Sequence, residues 1–483
     1  MNRPFYKVRE FHDLRELLSQ SVYTYGHSPA FKVKNKVGQI LDVSYKHFQA
    51  DVDALGTALM ELGLEDKRIA VAGANSYKWC TSYLAIAGGV GVVVPTDKEL
   101  PFDDIKSILD VSEASAIIFD SKFGEKLLEH RAELPKNLIL ISMDYKHDDG
   151  GILSYDCLLN RGYRLIGDGF VNYINKIVDG SKLTVLLFTS GTTGMAKAVM
   201  LSADNICSDV RSIMGFVKIN KGERILSILP LHHTYECSIT FLCCIYGGVT
   251  ICFCDGIRYI TKNLQEYRPH ILIVVPLILE KFYKRIEKAI QKERGAKFKI
   301  AMGSAICKAT DAVKLDTSNF FFGEIKKAFG GSIRMIITGA AAIDPVIIKN
   351  MNNFGIRVFQ GYGLTECSPI VICNSDRDNK YDSIGKPIPD VEAKLVNQDE
   401  NGIGEICVKG PMVMLGYYKD EKATKAAFDS EGWFHTGDLA KVDNHGHYYI
   451  CGRSKNVIVT TNGKNVYPEE LEALLLKDKH IKE

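Results

Sequence analysis

Residues 188–197 read Phe188-Thr-Ser-Gly-Thr-Thr-Gly-Met-Ala-Lys197, directly after the apolar run Leu183-Thr-Val-Leu-Leu187. The run has the length and composition of a buried strand, and it feeds a loop built almost entirely of glycine and hydroxyl-bearing residues. Glycines let backbone N–H groups approach an oxyanion, hydroxyls add donors, and a closing lysine adds a point charge. That is the chemistry of a polyphosphate cradle. It is not a Walker loop, because the Gly-x-x-x-x-Gly-Lys-Ser/Thr spacing is absent. Here Gly191, Gly194 and Lys197 are each three residues apart, and Ala198 follows the lysine.

Outward from this loop, apolar runs alternate with helical patterns between about Leu55 and Phe359. Ile69-Ala-Val-Ala72, Ala116-Ile-Ile-Phe119, Leu138-Ile-Leu-Ile141, Ile271-Leu-Ile-Val274 and Ile333-Arg-Met-Ile-Ile337 are examples. The alternation predicts α/β architecture with largely parallel sheets. An internal echo, Tyr83-Leu-Ala-Ile-Ala-Gly-Gly-Val against Phe241-Leu-Cys-Cys-Ile-Tyr-Gly-Gly-Val, reads as two similar α/β subdomains, each with a buried helix end, a Gly-Gly break and a strand. After Gly361 the pattern changes. Short strands such as Glu392-Ala-Lys-Leu-Val396 and Gly404-Glu-Ile-Cys-Val-Lys409 lie between Asp/Asn/Gly turns, predicting a small, mostly-β, barrel-like subdomain. A helix over Glu469–Lys477, opened by Tyr467-Pro468, begins something new. The expected division is residues 1–180 and 181–365 as the two α/β subdomains, 366–453 as the small β unit, and 454–483 as a hinge and the start of a small α+β domain.

The 483 residues exceed the ~250–300 that one hydrophobic core serves, in keeping with several units. A net charge of +2 supplies no global field for nucleic acid. The 13 cysteines and 12 histidines form neither C-x-x-C nor H-E-x-x-H, and Cys243-Cys244 and Cys252/Cys254 sit in apolar runs, so core thiols in a reducing cytoplasm are expected. No apolar run reaches the ~18 residues of a membrane span, and the N-terminus lacks a signal-peptide core. A loose attachment to a membrane surface stays open.

Three further segments carry chemistry. In Tyr362-Gly-Leu-Thr-Glu366, tyrosine can stack on a base, threonine can bond a phosphate, and glutamate can hold a magnesium ion. In Trp433-Phe-His-Thr-Gly-Asp438, the acid can accept two ribose hydroxyls. Gly452-Arg-Ser-Lys-Asn456 adds two cations in a glycine-led turn. Each alone also fits an ordinary turn or a solvated surface.

In this order, with the loop at 189–197, these segments resemble the adenylate-forming superfamily: acyl-CoA synthetases, luciferase-type ligases and adenylation domains of peptide synthetases. The resemblance runs from about Tyr23 to the C-terminus. It implies that Thr189, Ser190, Thr192, Thr193 and Lys197, with Gly191 and Gly194, hold the β- and γ-phosphates of ATP. It implies backbone contact with adenine at Gly339, Ala340 and Ala341 of Thr338-Gly-Ala-Ala-Ala-Ile343. Gln360, Gly361 and Tyr362 would frame adenine and the acyl carboxylate. Thr365 would meet the α-phosphate, Glu366 the Mg2+, and Asp438 and Arg453 the ribose. Lys455 would sit at the hinge. Pro230-Leu-His-His-Thr-Tyr235 resembles the acyl-pocket gate, with His233 as the functional histidine and His232 structural.

The implied reaction joins a carboxylic acid to AMP from ATP and then to coenzyme A. Medium- or long-chain fatty acids are the expected substrates, since the Tyr362–Glu366 and Arg453–Asn456 segments look most like fatty-acyl-CoA synthetases. The superfamily's adenylating lysine lies late in its C-terminal domain, beyond residue 483, so weak adenylation is expected of this chain. The alternatives are a ligase that loads a carrier protein, a phosphotransferase, and a nucleotide-binding module that does not turn over.

Overall fold

The structure, a computed structural model, describes residues 3–189, 197–292, 318–459 and 465–475. Three sheets organise these residues. The first has eight strands, in spatial order Gly416–Tyr417, Lys197–Ser202, Leu183–Thr189, Val92–Thr96, Arg68–Ala72, Ala116–Phe119, Ile139–Ser142 and Ile152–Ser154. Its strands from Leu183–Thr189 to Ile152–Ser154 are parallel, and Leu183–Thr189 turns back antiparallel onto Lys197–Ser202. Ile69, Ala70, Val71 and Ala72 are all buried, as are Ala116 to Phe119. Both faces are covered, so a continuous apolar run rather than an alternating one marks each strand.

The second sheet has nine strands. Its parallel centre runs Arg357–Gly363, Met335–Thr338, Ile271–Val274, Arg224–Ser227, Thr250–Phe253, Pro29–Lys34. Antiparallel strands finish both edges: Ile40–Ser44 at one, Ile370–Cys373 and Lys386–Pro387 at the other. A third, antiparallel sheet joins Glu392–Val396, Gly404–Lys409, Phe434–Val442 and Tyr448–Arg453.

The predicted echo is present. Strands 68–72 and 92–96 are parallel neighbours joined through helix Tyr77–Ala85 and a Gly88-Gly89 break, and strands 224–227 and 250–253 repeat this through residues 236–247 and Gly248. The sheets nevertheless cross the expected boundary near residue 180. Strands 183–189 and 197–202 complete the sheet begun at residue 68, while strands 29–34 and 40–44 belong to the other sheet. The small strand 416–417, expected in the β unit, pairs instead with Met200 and Val199. Pairing over such distances is decided by which apolar face finds cover, and local pattern does not encode it.

Close approach and caps fix the helices. Helices Tyr45–Glu61 and Tyr155–Gly167 pack so tightly that a Cβ at Gly162 would lie 1.8 Å from the Ala54 carbonyl oxygen. Ser202 and Asn205 form a reciprocal capping box at the start of helix Ala203–Phe216. The Asn205 amide also donates to the carbonyls of Pro411 (2.7 Å) and Val413 (2.9 Å), which anchors the segment leading to Tyr417. Helix Pro468–Leu475 forms where it was predicted, with Tyr467 buried against Ile403 and Cys451. Cys243, Cys244 and Cys252 are buried free thiols, as expected. Among the described residues no helix is long and apolar enough to cross a membrane.

Candidate active site

The site residues gather where the three sheets meet. In open α/β sheets a ligand crevice forms outside the carboxyl ends of the parallel strands. Two neighbouring strands of the nine-stranded sheet end there. Met335–Thr338 leads into Gly339, Ala340 and Ala341, and Arg357–Gly363 carries Gln360, Gly361 and Tyr362, with Thr338 opposite Gln360. Ala340 and Ala341 are exposed, and Ala340 is held at φ +70°, a left-handed conformation uncommon for alanine. Gly339 is required by space. A Cβ there would lie 2.8 Å from the Gly361 carbonyl oxygen and 3.5 Å from Tyr235 Oη. Tyr235 Oη and Thr338 Oγ1 are both buried at this junction without a hydrogen-bond partner.

Tyr362, Asp438 and Arg453 come together. Tyr362 Oη donates to Asp438 Oδ2 (2.7 Å), and Arg453 Nε pairs with Asp438 Oδ1 (3.0 Å). Asp438 and Arg453 face each other across strands 434–442 and 448–453, so register alone makes the pair. Burial pushes the Asp438 carboxyl up, while Tyr362 and Arg453 oppose that shift. The turn before Asp438 is held by a residue that sequence reading did not single out. Glu405 Oε1 accepts the Gly437 N–H (2.9 Å), and its Oε2 lies 2.9 Å from His435 Nδ1. Gly437 has φ +73°, which favours glycine.

A second cluster lies on the side of the eight-stranded sheet. Thr189 and Lys197 are paired across the hairpin, with Thr189 Oγ1 3.3 Å from the Lys197 carbonyl. Ser190, Gly191, Thr192, Thr193 and Gly194 lie outside the described residues. Lys197 Nζ stands 4.5 Å from the ring centroid of Tyr417, and Tyr417 Oη donates to Glu366 Oε1 at 2.9 Å. Tyr417, absent from the predicted site, therefore links the predicted phosphate lysine to the predicted magnesium ligand. Burial first, and then the Glu366 carboxylate, push its phenol up, so it stays a donor. Thr365 and Glu366 lie in a short helical turn after Gly363, and the Glu366 carbonyl accepts the Met414 N–H (2.8 Å). A half-buried carboxylate with one oxygen engaged by a neutral donor is a fitting ligand for a hard cation such as Mg2+. Lys455 follows Arg453 in an exposed turn.

The two histidines differ in environment. His232 is largely buried, 3.6 Å from Asp97, and lines a small apolar cavity with Tyr83, Leu187, Leu231 and Cys237. Burial and the neighbouring His233 push it down to about 4. His233 is exposed, and its ring contact is with His232 (4.1 Å) rather than with either cluster. Beyond them lies Glu236, fully buried and also missed in the sequence. It accepts from Ser227 Oγ (2.7 Å) and Thr240 Oγ1 (2.9 Å), and burial pushes its carboxyl up to about 8.

Residues 18–418 match the family model described as AMP-binding enzyme, and the chain belongs to that family. Its curated relatives include long-chain-fatty-acid–CoA ligase 6 of Mus musculus, 31% identical over 471 residues, a match covering 91% of this chain and 66% of that protein. The long-chain-fatty-acid–CoA ligase FadD15 of Mycobacterium tuberculosis is 28% identical over 446 residues, covering 89% of this chain and 72% of that one. The chain thus spans about two-thirds of the length of these relatives. Among solved structures, an anthranilate CoA ligase in complex with anthranoyl-AMP shares the fold with a TM-score of 0.75 at 18% identity, over 98% of this chain and 83% of that one. The N-terminal domain of FACL13 from Mycobacterium tuberculosis does so with a TM-score of 0.69 at 21% identity, over 92% of this chain and 100% of that one.

Proposed function

We propose that this chain forms the nucleotide and acyl site of an AMP-forming fatty acid–CoA ligase. The observation that carries the reading is the pair of clusters joined through the segment from Tyr362 to Glu366: Tyr362–Asp438–Arg453 and Lys197–Tyr417–Glu366. The first suits a ribose, because the Asp438 carboxylate is fixed by two donors and retains lone pairs for two hydroxyls. The second suits a polyphosphate, with one cation and one metal-ligating carboxylate held apart by a rigid ring. Ala340 and Ala341, after the buried Gly339, offer exposed backbone to a base beside Tyr362.

In the proposed reaction the substrate carboxylate attacks the α-phosphate of ATP and pyrophosphate leaves. Coenzyme A thiolate then attacks the acyl carbonyl and AMP leaves. Lys197 and Thr189 would hold the leaving phosphates, and Thr365 would orient the α-phosphate. Mg2+, when bound at Glu366, would neutralise charge on the phosphate oxygens. The names of the relatives support a long-chain fatty acid as substrate. The described cysteines, all free thiols, support a reducing compartment such as the cytoplasm.

The test is competition for the site by non-hydrolysable acyl-AMP mimics carrying acetyl, octanoyl and palmitoyl groups. Affinity should rise with chain length, by about 0.8 kcal/mol per buried CH2 at most. Equal affinity for all three, or a preference for acetyl, would overturn the fatty-acid assignment and leave the nucleotide assignment standing.

A further inference from the structure

Strands Gly404–Lys409 and Phe434–Val442 place three donor atoms together on the face of the small sheet that also bears Leu439. Glu405 and Cys407 are two residues apart and so share a face, and Cys407 lies directly opposite His435. His435 Nδ1 is 2.9 Å from Glu405 Oε2 and 3.5 Å from Cys407 Sγ, and the three donors all lie within 4.8 Å of one another. Among the described residues no other cluster of three such side chains occurs.

We propose that Glu405, Cys407 and His435 form a binding site for a borderline-to-soft divalent cation of the zinc type, separate from the magnesium position at Glu366. Bond lengths of about 2.3 Å to sulfur and about 2.0–2.2 Å to nitrogen and oxygen put tetrahedral donors on edges of roughly 3.3–3.6 Å. The observed 2.9 and 3.5 Å separations need only small side-chain rotations to reach them. One thiolate, one imidazole and one carboxylate favour zinc or cobalt over magnesium or calcium, which take oxygen. Both His435 and Glu405 are part-exposed, which leaves a route in and a fourth position for water.

With the imidazole as its Nδ1–H tautomer, Nδ1–H donates to the Glu405 carboxylate in the metal-free protein. The cation takes that place, the imidazole carries its proton on Nε2, and Cys407 releases its thiol proton to solvent as the sulfur–metal bond forms. Glu405 Oε1 meanwhile keeps the Gly437 N–H, one residue before Asp438. An ion here would therefore fix the turn that carries the candidate ribose acid, and this coupling alone rests on the proposed function.

The test is titration of the protein with Co2+, followed by back-titration with Zn2+. A near-ultraviolet thiolate-to-cobalt band saturating at one equivalent and bleached by one equivalent of Zn2+ is expected. Cys407→Ser and Glu405→Gln keep shape and the Gly437 bond, and should each weaken the ion by more than the 10–100-fold typical of losing an outer-shell partner. Thermal melts matching the wild type in the absence of metal would establish that both variants are folded. No cobalt–thiolate band in the wild type, or a band unchanged in Cys407→Ser, would overturn the site. Loss of acyl-AMP mimic binding with the band intact would indict the ligase reading instead.

Discussion

Removing the Tyr417 hydroxyl tests how the candidate phosphate side is built. In Tyr417→Phe the ring remains, so the Lys197 ammonium keeps its aromatic contact at 4.5 Å, worth about 0.5–2 kcal/mol depending on desolvation. Backbone bonds hold the segment independently of the hydroxyl. Gly416 and Tyr417 pair with Met200 and Val199, and Met414 N–H binds the Glu366 carbonyl. What disappears is one hydrogen bond to a carboxylate, worth about 1.5–3 kcal/mol. If that bond aims Glu366 at Mg2+, MgATP should bind about 10–100-fold more weakly, while metal-free ATP should bind nearly unchanged. Tyr417→Leu removes the ring as well, so it should also weaken metal-free ATP. The assay is calorimetric titration with ATP at zero and saturating Mg2+. In a Glu366→Gln background, Tyr417→Phe should add little, because the two groups act as a pair. An equal loss with and without Mg2+, or full additivity with Glu366→Gln, would refute the reasoning.

Two further outcomes follow from particular contacts. Gly339→Ala sets a methyl 2.8 Å from the Gly361 carbonyl oxygen. Melting should report about 1–3 kcal/mol of lost stability, the usual cost of overpacking, and AMP binding should fall with it. Burial pushes the Glu236 carboxyl up to about 8, against the hydrogen bonds from Ser227 and Thr240. A raised pKa gives stability that is fully present below the ordinary carboxyl range and is lost as pH rises through about 8. Glu236→Gln should therefore remove several kcal/mol of pH dependence between about pH 4.5 and 8, and should be the more stable protein at pH 9. Urea unfolding of both proteins across that range checks the slope.

The residues that the sequence made legible are those whose chemistry is local. Tyr362, Glu366, Asp438 and Arg453 stand in short segments whose residue types announce polar work, and Ala116–Phe119 and Ile271–Val274 announce buried parallel strands. Tyr417 and Glu405 were not legible in the same way. Tyr417 reaches Glu366 only because a two-residue strand crosses to the sheet of Lys197. The strand Gly404–Lys409 was predicted, but only its pairing with Phe434–Val442 brings Glu405 and Cys407 beside His435. The sharing of strands across residue 180 was hidden for a related reason. Strand Leu183–Thr189 has no sequence mark telling which of two parallel sheets it will extend, and the choice rests on its pairing with Val93.

The central claim is that Asp438 holds the ribose of an acyl adenylate. Calorimetric titration with a non-hydrolysable acyl-AMP mimic, comparing the wild type with Asp438→Ala, tests it most directly. Tight one-to-one binding is expected in the wild type. At least a tenfold loss is expected in the variant, from about 1.5–3 kcal/mol per hydrogen bond to a charged carboxylate. Arg453 is exposed enough for water to replace its partner, so the variant should remain folded. Equal affinity in the two proteins, or no binding to the wild type, would contradict the account.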